Sequence, residues 1–101
     1  RASALGYVNL LRQRAFGNDS GNIQDGEMTP DFILDERARE LYWECTRRTD
    51  LIRYDKFTTA NYLWQWKGGV KAGAAVNSKY NVYPIPTTDL TANPNLYNEN
   101  Y

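Results

Sequence analysis

The run FILDERARELYWECTRRTDLIRYDKF, from Phe32 to Phe57, constrains this chain more than any other stretch. Thr29-Pro30-Asp31 leads into it with a hydroxyl cap, a proline at the first helical position and an acid where the helix dipole favours one. Together they predict an amphipathic helix over residues 30–57. Leu34, Ala38, Leu41, Cys45 and Ile52 share one narrow stripe of the helical wheel, the expected buried face. Asp50 offers a cap at which the helix can bend or restart, and Lys56-Phe57 with Thr58-Thr59 closes it.

A shorter helix is expected upstream, over residues 3–16. Ser3 is its candidate cap, and Leu5, Val8, Leu11 and Ala15 recur at three- and four-residue spacing. Gly17-Asn18 ends it. The polar run GNDSGNIQDGE, Gly17 to Glu27, reads as a surface loop. Its side-chain oxygens invite a calcium reading, but the spacing lacks the terminal bidentate Glu of a calcium-binding loop.

From Thr58 to Tyr101 the chain reads as an irregular, aromatic and proline-rich strap. Gly68-Gly69 and Gly73 loosen it, Asn77 to Tyr83 suits a short extended piece, and Pro84, Pro86 and Pro94 argue against helix and central strand alike. The fold class expected is therefore mainly α, two helices followed by irregular and extended segments. At 101 residues, with 42% hydrophobic and 14% aromatic content, the chain carries more apolar surface than two helices can cover. We expect it to be the downstream piece of a longer protein.

Charge excludes some partners. Lys plus Arg and Asp plus Glu number 12 each, so no net field steers the chain toward nucleic acid. Without histidine, His-based triads and nearly all zinc sites fall away, and the single Cys45 rules out an internal disulfide. No cofactor is implied. On the apolar stripe, Cys45 reads as a small buried hydrophobe.

Two constellations could carry chemistry. Glu36, Glu40 and Glu44 sit at four-residue steps, about 5–6 Å apart at Cβ on one helical face, and Glu36 with Glu40 could suggest a carbohydrate hydrolase. Arg37, Arg47 and Arg48 lie at compensating positions. Arginine neighbours favour an ionised carboxylate, whereas a catalytic acid must hold its proton. The preferred reading is a structural ion-pair lattice in which Glu40 meets Arg47 or Arg48. The second constellation is Tyr62, Trp64 and Trp66, which alternate and in an extended segment would point the same way, as a platform for pyranose rings or as packing anchors. Lys67-Gly68-Gly69 lacks the further glycine spacing and the Lys-Ser/Thr of a phosphate loop.

Four motifs in order, ALGYVNLLRQRA at Ala4 to Ala15, ERARELYWE at Glu36 to Glu44, RRTDLIRY at Arg47 to Tyr54 and YNVYPIP with ANPNL between Tyr80 and Leu96, closely resemble the C-terminal end of the SusD/RagB-type glycan-binding lipoproteins. WQWKGG at Trp64 to Gly69 fits the same pattern. The chain departs from it at Cys45-Thr46, where the family usually has Gly-His, and at the tail Asn98-Glu99-Asn100-Tyr101, where the usual ending is QNPGY. The resemblance implies an α-rich protein with tetratricopeptide-like helical pairs. It also implies a lipid anchor on the outer face of a Gram-negative outer membrane, no catalysis, and delivery of starch-like oligosaccharide or polysaccharide to a SusC-like TonB-dependent transporter. Within the family this segment is structural and most glycan contacts lie upstream, so the upstream part of the same protein becomes the expected packing partner. A non-catalytic helical interaction module is the remaining alternative.

Overall fold

Helices are the regular structure among residues 1–99 and 101, the part that the computed structural model describes: α1 is Ala2–Phe16, α2 Pro30–Glu40, α3 Arg47–Arg53 and α4 Thr87–Ala92. Short 3-10 turns at Asp19–Gly21, Asp25–Glu27, Lys67–Gly69 and Ser78–Asn81 punctuate the connections. No strand occurs among the described residues. Asn100, in the tail that departs from the family pattern, lies outside them. The described chain forms two units, Arg1–Arg47 and Arg48–Tyr101.

In the first unit α1 begins without a side-chain cap on Arg1, so Ser3 does not serve as one, and it ends where Gly17 turns left-handed at φ 71°. Its polar side chains gather the following loop. Asn9 donates to the Ile23 carbonyl at 3.1 Å and accepts from the Ile23 amide at 2.9 Å, while Arg12 reaches the Gly21 carbonyl. Two of the loop's acids are engaged: Asp25 binds Arg1 at 2.7 Å, and Glu27 accepts the Gln24 amide at 2.7 Å. α2 starts as its sequence dictates, with the Thr29 hydroxyl accepting the Phe32 amide at 3.1 Å.

The single helix expected over 30–57 is two helices. α2 stops at Glu40, the chain turns through residues 41–46, and α3 runs from Arg47 to Arg53. Trp43 and Cys45 take φ 67° and 58° in that turn, conformations that L side chains resist. What holds the turn is Arg47, which reaches back to donate to the Leu34 carbonyl at 2.7 Å and to Asp35 at 3.3 Å. The apolar stripe loses its phase here. Leu34 is completely buried, but Cys45 is exposed, and beyond the turn Leu51 rather than Ile52 is the buried position. Asp50 lies buried within α3, not at a cap.

The second unit begins with α3, whose end is a left-handed cap. Asp55 takes φ 53°, the Lys56 amide donates to the Leu51 carbonyl at 2.7 Å and the Asp55 amide to Ile52 at 3.0 Å. The strap expected over 58–101 carries more structure than its prolines suggested. Residues 78–81 form a 3-10 turn instead of an extended piece, and α4 follows directly on Pro86, which sits at the N-cap with no helical N–H to lose. Asn98 then brackets Ile85 as Asn9 brackets Ile23, accepting its amide at 2.7 Å and donating to its carbonyl at 3.2 Å.

Ile23, Leu34 and Leu51 are the buried apolar side chains among the described residues. At about 1.5–3 kcal/mol each, such burial falls far short of the conformational entropy of a hundred ordered residues. The 101-residue chain by itself is therefore expected to melt without a sharp cooperative transition in far-UV circular dichroism; a sharp one would establish an autonomous domain. The left-handed Cys45 gives a second expectation. Cys45→Gly relieves its backbone strain, offset in part by glycine's greater entropy loss, and should stabilise the full-length protein by about 0.5–1 kcal/mol in chemical denaturation. A loss of stability would show that the thiol makes a compensating contact.

Candidate functional site

Two of the three carboxylates singled out in the sequence, Glu36 and Glu40, are tied up by guanidiniums from another helix. Glu36 of α2 pairs with Arg12 of α1 at 2.7 Å, with side-chain exposures of 13% and 14%, and with Arg39 at 2.6 Å. Arg12 also lies between two aromatic rings, 5.2 Å from the Phe16 centroid and 5.5 Å from that of Phe32. Glu40 pairs with Arg14. The expected pair of Glu40 with Arg47 gives way to this one because the turn at 41–46 carries Arg47 back to Leu34 and Asp35. Glu44 is left exposed in that turn, off the face it would have shared with Glu40, and Arg37 stays half-buried on α2.

Arg48 is held by aromatic rings and a backbone carbonyl. Its guanidinium lies 3.9 Å over the Tyr83 ring and 5.1 Å from that of Phe57, and it donates to the Tyr80 carbonyl at 2.6 Å. With Phe57, Trp64, Tyr80, Tyr83 and Tyr101 it lines an open aromatic cleft of about 320 Å³ in the second unit. Tyr101 fastens one wall, its hydroxyl sharing its one proton between the carbonyls of Lys79 at 3.1 Å and Val82 at 3.0 Å. The Tyr80 and Tyr101 rings meet edge to face at 6.5 Å. The tyrosines of this cleft were not visible as a group in the sequence, because the turn at 78–81 brings them together.

Tyr62, Trp64 and Trp66 do not form one flat row. Tyr62 and Trp64 lie 6.4 Å apart with tilted planes, and Trp64 stacks on Phe57 at 6.5 Å. Trp66 takes φ 68°, which swings the chain out of the extended conformation an alternating row needs, and remains 64% exposed.

The residue that sequence reasoning passed over is Lys67. It is 3% exposed, and its ammonium donates to three backbone carbonyls: Lys56 at 3.1 Å, Thr59 at 2.5 Å and Tyr62 at 2.8 Å. The same nitrogen lies 4.6 Å from the Trp64 ring centroid. Desolvation by burial pushes its pKa below the ordinary lysine value, while the carbonyls favour the charged form. No cluster of three or more His, Cys, Asp or Glu side chains suited to a metal ion occurs among the described residues.

These features define a class: an α-rich scaffold segment knit together by long cationic side chains, with aromatic rings at its surface. The SusD family model matches residues 1–101, and the chain belongs to that family. It is 48% identical over 97% of its length to the starch-binding protein SusD of Bacteroides thetaiotaomicron, and 35% identical over 94% to the SusD-like protein P25 of Formosa agariphila. It spans 17% and 18% of the lengths of those relatives.

The pairing pattern separates two carboxylates that look alike in sequence. In the full-length protein, Glu36→Ala should cost about 3 kcal/mol, since it strips the charge partner from the nearly buried Arg12. Glu40→Ala should cost less than about 1 kcal/mol, its arginine being largely exposed. Equal, small losses in equilibrium denaturation would contradict this assignment.

Proposed function

We propose that this chain is the C-terminal, structural part of a surface glycan-binding protein that captures starch-like oligosaccharide or polysaccharide without cleaving it. The observation that carries the reading is the family match along the whole chain, together with the 48% identity to a protein named as starch-binding. Geometry supports the non-catalytic side of it. Glu36 and Glu40, the two candidates for hydrolysis, are each held by arginine, an arrangement suited to cohesion between helices and not to proton transfer.

The wider reading follows the family. The protein would be held by a lipid on the outer face of the outer membrane and would hand its glycan to a SusC-like TonB-dependent transporter. Within it, this segment braces the body that presents the sugar site. Of the aromatic trio, Tyr62 and Trp64 serve packing, their rings tilted against one another and Trp64 stacked on Phe57, and Trp66, the most exposed of the three, is the one best placed to touch a sugar ring.

Incubating the full-length protein with soluble polysaccharides tests this directly. Binding without new reducing ends is expected. Release of reducing sugar would establish a hydrolase, and no binding across a broad panel would leave a helical interaction module. Trp66→Ala should weaken glycan binding several-fold with an unchanged unfolding temperature; an unchanged affinity would confine this segment to bracing.

A further inference from the structure

We propose that the carbonyl oxygens of Lys56, Thr59 and Tyr62 form a monovalent-cation site that the chain fills with its own Lys67 ammonium, and that this internal cation positions Trp64. The site is built from backbone. Three carbonyls spaced three residues apart converge on one nitrogen at 2.5–3.1 Å, matching in number the three donors of an ammonium. The Trp64 ring closes a fourth side, with its centroid 4.6 Å from the nitrogen. No carboxylate is among these contacts, so the chemistry is that of carbonyl dipoles replacing the water around a compact monovalent cation, not of a divalent metal.

Several features hold the cage open toward Lys67. The Asp55 carbonyl accepts the Thr59 hydroxyl at 2.8 Å, and the Thr58 carbonyl accepts the Val76 amide at 2.8 Å, which fixes the rim from outside. Trp66 and Gly68, on either side of the lysine, both adopt left-handed backbone at φ 68° and 65° and turn the intervening residue inward. The Lys67 amide and carbonyl are themselves paired, to Trp64 at 3.1 Å and Ala74 at 3.0 Å. The segment is thus wound about a point charge, and Trp64 takes its place against Phe57 and Tyr62 because that charge lies on its face.

Chemical rescue in the full-length protein tests the proposal, and the readouts are the unfolding temperature and the near-UV circular dichroism of the tryptophans. Lys67→Ala removes a propylammonium equivalent. It should lower the unfolding temperature and alter the tryptophan signal, and added propylammonium or ammonium should restore both in a saturable manner. Tetramethylammonium, which has no N–H to donate, should restore neither at the same ionic strength. In a Trp64→Phe background the cation should still raise the unfolding temperature but leave the remaining tryptophan signal unchanged. Should Lys67→Ala fail to fold, Lys67→Met keeps the apolar stem; it should fold with a lowered unfolding temperature and the altered signal. A wild-type temperature and spectrum for Lys67→Met, or rescue by tetramethylammonium equal to that by propylammonium, would overturn the proposal. Neither readout depends on glycan binding.

Discussion

Irregular backbone leaves many carbonyls without a ladder partner, and in this chain long cationic side chains reach several of them. Arg12 answers Gly21, Arg48 answers Tyr80, and Lys67 answers three carbonyls at once, while Arg47 reaches the Leu34 carbonyl inside α2. Each of these hydrogen bonds carries charge and is stronger than a neutral one, and each spares a polar group the cost of desolvation without a partner. The loops therefore owe their shape to directional contacts from neighbouring elements. With Ile23, Leu34 and Leu51 as the buried apolar set, hydrophobic burial alone would not specify that shape.

The two asparagine clamps extend the same logic without charge. Asn9 and Asn98 each present an amide to both sides of one isoleucine peptide, supplying the donor and acceptor that a neighbouring strand would otherwise provide. In each case the clamped residue is separated from its asparagine by 14 or 13 positions, far enough to tie a helix or tail to a loop. Such clamps fix register where no ladder exists to do so.

Local chemistry was legible in the sequence and long-range pairing was not. Thr29-Pro30-Asp31 specifies the start of α2 through its own atoms, and Gly17 the end of α1, so both boundaries could be read directly. The turn at 41–46 could not, because nothing between Leu41 and Thr46 is a glycine or proline; the one clue was that the family usually places Gly where this chain has Cys45, a position now seen to be left-handed. The carboxylate ladder on α2 suggested partners on the same helix. Its main partners, Arg12 and Arg14, stand 24 and 26 residues away, where spacing rules cannot see them. Lys67 was hidden for a similar reason. A lysine beside two glycines looks like a solvated turn until three distant carbonyls are found around it.

The turn that breaks the long helix also leaves Cys45 accessible, and it is the only thiol in the 101 residues. It sits two positions from Trp43, whose side chain is 86% exposed. A maleimide dye or nitroxide attached there would mark one defined point of this segment with an aromatic donor beside it. Within this segment, distances and quenching could be read from that point without engineering a cysteine into it.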